Sequence, residues 1–221
     1  MKVDKLISEK IDFLKEGSSY PLDLLILDEN SIAVDCGANL GGFVLNWHHK
    51  FKKIYCFEAS KFNYENFLEN TKSISSKVDI YNKALGATDN IFIKLRKYTY
   101  DDGSDTNCGN FGCVEFVDKE NNHGWKEDSE YEEVLTISLE KIVEKIGFIT
   151  LLKIDIEGSE YDFIFNKDIS NIKYIIMELH NFLRHDGRQQ KLIDYISKSH
   201  DEIYTEGNGV DNHFIKVWQL K

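Results

Sequence analysis

Residues 34–42 read Val34-Asp35-Cys36-Gly37-Ala38-Asn39-Leu40-Gly41-Gly42, and this stretch decides the fold class. A strand-like apolar run over residues 31–36 ends in a glycine-containing loop. Residues 43–51 then read as a helix, with Leu45 and Trp47 apolar among His48, His49 and Lys50. The next apolar run, Ile54-Tyr55-Cys56-Phe57, stops at Glu58. Strand, tight turn, helix and strand make a βαβ unit, whose two strands lie parallel.

Working outward, Phe62, Phe67 and Leu68 give a second helix its apolar positions, and residues 78–81 and 91–95 read as further strands. Ser138 is a suitable N-cap for a helix over 139–146. Residues 149–154 are almost continuously apolar and end at Asp155, as strands in the middle of a parallel sheet do. A short helix over 158–165 follows, then a buried strand over 174–177 that runs into Glu178-Leu179-His180. A helix near 188–197 precedes two last runs, 203–205 and 214–218. Asn208-Gly209 between them predicts an antiparallel hairpin.

The fold class is therefore α/β, a doubly wound, mostly parallel sheet in one domain spanning 1–221. Residues 1–30 form an N-terminal helical extension, on the stripe Leu6, Ile7, Ile11 and Leu14, before and around the only proline, Pro21. Residues 97–130 are rich in turn formers and read as an inserted loop or lid, with Tyr98, Tyr100, Phe111 and Trp125 interspersed.

In such a sheet, ligands bind beyond the carboxyl ends of the strands. Asp35, Glu58, Asn82, Asp155, Glu178 and His180 each close an apolar run, so they converge on one edge. Glu58 lies 21 residues after Gly37, near the spacing at which an acid reaches ribose hydroxyls. The loop departs from the dinucleotide fingerprint, because Asn39 replaces its middle glycine and Asp35 would repel a pyrophosphate. S-adenosylmethionine (SAM) has no phosphate and carries a sulfonium and an ammonium group, so an acid beside the loop suits it.

Val34 to Gly41, Phe57-Glu58-Ala59, Asn82-Lys83-Ala84-Leu85-Gly86 and Leu152-Lys153-Ile154-Asp155-Ile156-Glu157-Gly158-Ser159-Glu160 resemble, in order, the motifs of the FkbM-like class I SAM-dependent methyltransferases. Glu178-Leu179-His180 resembles that family's Glu-x-His, and the likeness extends over roughly 31–180. The resemblance implies a seven-stranded Rossmann-like sheet ending in an antiparallel hairpin. It implies that Asp35, Gly37, Ala38, Asn39 and Gly41 surround the methionine part of SAM. Glu58 and Ala59 would then lie at the ribose, Asn82, Lys83 and Ala84 near the adenine, and Asp155 beside the cofactor.

Methyl transfer to a hydroxyl requires a positioned acceptor and removal of its proton. His180 is the candidate general base and Asp155 orients substrate or SAM. Asp155, Glu157, Glu178 and His180 also form an oxygen-rich set that would suit Mg²⁺. Cys108, Cys113 and His123 lack a fourth ligand for zinc. The expected activity is O-methylation of a small molecule or glycan. The alternatives are an RNA ribose 2′-O-methyltransferase, for which Lys153 is a candidate residue, and a SAM-binding module without turnover.

Composition narrows the partners. A net charge of −11 opposes binding to phosphate backbones or anionic membranes. No stretch approaches the roughly 20 uninterrupted apolar residues of a membrane span. The first twenty residues do not read as a signal peptide, and four cysteines fit a reduced compartment, so a cytoplasmic location is expected.

Overall fold

The computed structural model describes residues 15, 17–100, 125–180, 187–207 and 213–221. In chain order the elements are β1 (Ile32–Cys36), α1 (Gly42–Trp47), β2 (Lys53–Glu58), α2 (Lys61–Asn70), β3 (Val78–Asn82), β4 (Ala84–Leu85), β5 (Phe92–Tyr100), β6 (Trp125–Ile137), α3 (Leu139–Ile146), β7 (Ile149–Ile154), α4 (Glu160–Ile164), β8 (Ile172–His180), α5 (Arg188–Ile196), β9 (His200–Glu206) and β10 (His213–Leu220). Seven strands form one sheet in the order β3-β2-β1-β7-β8-β10-β9. The first five pair in parallel, and β10 runs antiparallel to both β8 and β9. The seven-stranded α/β sheet with an antiparallel C-terminal pair is thus as expected.

The strand period of two sends alternate residues to opposite faces. Val34, Leu152, Ile154, Ile175 and Trp218 face α3, α4 and α5, where Leu139, Ile142, Phe163, Leu192 and Ile196 cover them. Ala33, Leu151, Ile176 and Val217 face α1, α2 and the N-terminal segment, meeting Phe43, Val44, Phe67, Leu22 and Leu25. β7 is buried along its whole length, which is why its sequence shows no alternation. Chain order reverses between β1 and β7, so the crevice at their carboxyl ends is the topological switch point.

Two local differences from expectation have physical causes. The helix expected over 43–51 stops at Trp47 and tightens into a 3₁₀ turn over His48–Lys50, because Phe51 turns extended and is buried in the core. The expected insertion begins and ends inside strands: β5 and β6 form an antiparallel ribbon, joined through β6 to β4. Lys126, Glu127, Asp128, Glu130, Glu132 and Glu133 give β6 no apolar alternation to read. The cap at Ser138 is as read, accepting from Lys141 N, and Ser60 does the same for Asn63 N. The expected N-terminal helix, Cys108, Cys113, His123 and the Asn208-Gly209 turn lie outside the described residues.

His200 is fully buried at the start of β9, with Nε2 2.9 Å from the Ile172 carbonyl and Nδ1 2.8 Å from Ser199 Oγ. A neutral ring satisfies both contacts, donating through Nε2–H and accepting at Nδ1. Burial pushes its pKa below the ordinary 6.5. Below that pH the unfolded chain gains a proton that the native state refuses, so stability falls as the solution is acidified. His200→Gln keeps a donor without the titration, and its unfolding midpoint should drop less than wild type's between pH 7.5 and 5.5. Equal drops would remove His200 from the account.

Candidate active site

The loop after β1 is a cradle fixed by backbone geometry. Gly37 has φ +78°, and a Cβ there would lie 1.8 Å from the Asp155 carbonyl oxygen. The close approach joins the ends of β1 and β7, and Asp155 N donates to Cys36 O at 3.0 Å. Gly37 N and Ala38 N both donate to Phe57 O, tying the same loop to β2. Asn39 has φ +49°, a left-handed conformation that asparagine tolerates better than most residues. That explains how this loop dispenses with the middle glycine of the dinucleotide pattern.

Glu58 closes β2 and is 7% exposed. Its Oε2 accepts from Asn39 N at 2.8 Å, and its Oε1 accepts from Ser60 N at 2.9 Å and Asn63 Nδ2 at 3.4 Å. Burial raises its pKa to about 7 despite these donors. Two carboxylate oxygens offer about four acceptor positions, so three donors leave capacity for a ligand hydroxyl. Asn82 ends β3 and spends its amide on the turn beside Glu58, donating to Glu58 O at 3.0 Å and Ala59 O at 2.8 Å. Lys83 N also donates to Glu58 O, while Ala84 is buried with Leu95 and Val134 against Ala59.

Asp35 and Lys153 are register partners on β1 and β7, and both are buried. Lys153 Nζ lies 3.1 Å from Asp35 Oδ1 and 3.5 Å from Asp155 Oδ2, and donates to Gly37 O at 3.0 Å. The Asp35 contact is an ion pair without hydrogen-bond geometry, and Asp35 Oδ2 has no hydrogen-bond partner among the described residues. Burial pulls Asp35 upward in pKa and Lys153 downward, but Asp35 and Asp155 outweigh burial at the lysine and keep it charged. Asp35 is thus placed beneath the loop as a support. It does not line the surface of the site, and Lys153 is equally withdrawn from any acceptor.

Tyr20, which the sequence reading passed over, reaches the same place. Its hydroxyl lies 3.0 Å from Asp155 Oδ2 and 3.3 Å from Glu178 Oε2. Two carboxylates (Asp35 and Asp155) thus flank one ammonium, and Glu178 joins them through the Tyr20 hydroxyl, a net negative group suited to a cationic ligand. Glu157 occupies a left-handed turn, and Glu160 Oε1 accepts from Gly158 N, which gives Glu160 a structural role in that turn. Among the described residues no cluster of three His, Cys, Asp or Glu side chains is arranged to hold a metal, so Asp155, Glu157 and Glu178 do not form a Mg²⁺ site among themselves. His180 ends β8 opposite His213 of β10, and its side chain lies outside the described residues.

The methyltransferase FkbM domain matches residues 35–206. The chain belongs to the FkbM methyltransferase family. Among solved structures, the methyltransferase FkbM from Methylobacillus flagellatus KT is similar at 14% identity and TM-score 0.54, over 91% of this chain and 46% of that one. An rRNA methylase from Streptococcus thermophilus matches at 11% identity and TM-score 0.50, over 97% and 94% of the two chains. M. capricolum TrmK, in complex with S-adenosyl-homocysteine, matches at 10% identity and TM-score 0.52, over 94% and 67%. At such identities the likeness is one of fold, and this FkbM chain spans less than half the length of the M. flagellatus protein. No curated protein sequence matches it. No helix among the described residues is long and apolar enough to cross a membrane.

Gly37→Ala tests the cradle. Gly187 shares a φ near +80° but a Cβ there meets nothing within 4 Å, so Gly187→Ala carries the backbone strain alone, about 1–2 kcal/mol. Gly37→Ala adds a clash with the Asp155 carbonyl, and urea unfolding should show a clearly larger loss. Equal losses would mean that the β1–β7 junction yields freely.

Proposed function

We propose that this FkbM-family chain is a SAM-dependent O-methyltransferase acting on a hydroxyl of a small molecule or glycan. The observation that carries the cofactor reading is Glu58, held at the end of β2 by Asn39 N with acceptor capacity to spare, beside a loop that cannot carry a Cβ at Gly37. Glu58 would hold the ribose hydroxyls, the backbone of residues 37–41 the methionine part, and the turn at 82–84 the adenine side. The negative cluster of Asp35, Asp155 and Glu178 around Lys153 favours a ligand that bears sulfonium and ammonium charge. SAM supplies an activated methyl group when bound. The chain's own work is to orient the acceptor, exclude water and take its proton.

Asp155 is partly exposed and closes β7 next to the loop, which suits it to orient the acceptor or SAM. His180, two residues beyond Glu178 on the neighbouring strand, is the general base in this reading. Lysine-based recognition of an RNA ribose is disfavoured by the commitment of Lys153 to Asp35 and by the net charge of −11.

Calorimetry with S-adenosyl-homocysteine tests the cofactor assignment. Ribose recognition needs the ionised Glu58, so affinity should rise about tenfold from pH 6 to pH 8 as a group with a pKa of about 7 loses its proton. NAD should not bind. NAD binding in place of the homocysteine ligand would refute the assignment. His180→Ala should keep the ligand affinity and lose transfer of labelled methyl from SAM to a panel of hydroxylated small molecules and oligosaccharides. Unchanged transfer would dismiss His180 as the base.

A further inference from the structure

Tyr20 lies before the family-matching residues 35–206, yet it enters the centre of the site. Its segment is anchored without its hydroxyl. Gly17 O accepts from Trp47 Nε1 at 2.8 Å, and Gly17 lies so close to α1 that a Cβ would stand 2.1 Å from the Gly42 carbonyl carbon. Leu22 and Leu25 are buried against the sheet, Asp23 pairs with Lys50 at 2.6 Å, and Ile26 bonds through its backbone to Tyr174 Oη and Lys173 Nζ. The ring of Tyr20 packs edge-on against Phe43, with centroids 5.8 Å apart. A phenylalanine would satisfy every one of these contacts.

What the hydroxyl adds is confined to the site. Ile154 and Met177 are register partners, so Asp155 and Glu178 follow them as neighbours at the ends of adjacent parallel strands. Two carboxylates placed side by side repel each other. The Tyr20 hydroxyl stands between them at 3.0 and 3.3 Å, and Lys153 Nζ is 3.5 Å from Asp155 and 5.3 Å from the Tyr20 ring centre. Burial, followed by Asp155, Glu178 and Asp35, raises the phenol well above its ordinary pKa, so it remains a proton donor across the working range.

We propose that Tyr20 is a positioning residue of the methyl-transfer site, supplied from outside the family domain, whose single hydroxyl proton holds Asp155 and Glu178 in alignment. This role rests on the site being the methyl-transfer site proposed above. Tyr20, Asp35, Lys153 and Glu178 are among the groups facing Asp155, and of these Tyr20 is the neutral donor.

The test is Tyr20→Phe, which removes one oxygen and keeps the packing, with Leu22→Ala as a control that loosens the segment but keeps the hydroxyl. Crystal structures of the ligand-free protein should show the Asp155 and Glu178 carboxylates moved apart in Tyr20→Phe and unmoved in Leu22→Ala, because only the former loses the donor they share. S-adenosyl-homocysteine affinity should fall about tenfold in Tyr20→Phe, and the same change should have little further effect in an Asp155→Asn background. Unmoved carboxylates in Tyr20→Phe, or an equal displacement in Leu22→Ala, would overturn the proposal and leave Tyr20 as packing. If wild type fails to bind the homocysteine ligand, the cofactor reading fails, and the ligand-free structures still decide the role of Tyr20.

Discussion

The site is built around one buried ion pair. Asp35 and Lys153 meet at 3.1 Å across β1 and β7, the two strands where the chain order reverses. A charge in that interior is tolerated only with its partner, and removing one member of such a pair costs about 3–5 kcal/mol. A pair of well-packed apolar residues would stabilise the sheet at least as well, so stability alone does not account for it. Its other contacts do: the same ammonium holds the Gly37 carbonyl of the loop, approaches Asp155 and lies over the ring of Tyr20. One cation therefore fixes the loop, the end of β7 and the N-terminal segment relative to one another.

Parity along the strands explains why these groups come together. Ala33, Leu151, Ile176 and Cys56 all belong to the core under α1, so Asp35, Lys153, Glu178 and Glu58, each two residues further along its strand, are directed to that same side. Among the described residues the apolar cover on that side comes from α1 and the N-terminal segment and reaches as far as Tyr20 at the switch point. The polar groups thus begin where the apolar cover ends. Glu58 sits in this boundary layer: buried enough to titrate near neutrality, yet held by backbone donors that orient it.

Much of this was legible in the sequence. The apolar runs with acids at their ends located β1, β2, β7 and β8, and the loop around Gly37 located the switch point, because these features follow from local backbone chemistry. Helix and ribbon limits were less readable, since the end of α1 is decided by the burial of Phe51 and β6 is a charged strand paired with β5. The site divided in the same way. Glu58 and Asp155 stand at strand ends as their positions required. Asp35 was legible as an acid beside the loop, but its commitment to Lys153 depends on strand order, which no local pattern contains. Tyr20 left no signal, because Ser18-Ser19-Tyr20-Pro21 has no periodicity and its meeting with Asp155 spans 135 residues of chain.

A crystal structure of the protein with S-adenosyl-homocysteine bound would test the central claim most directly. The account predicts a ribose hydroxyl within hydrogen-bond distance of Glu58, the methionine part along the backbone of residues 37–41, and the Asp35–Lys153 pair intact beneath it. A ligand bound away from Glu58, or a Lys153 side chain turned out of the sheet to meet it, would contradict that account.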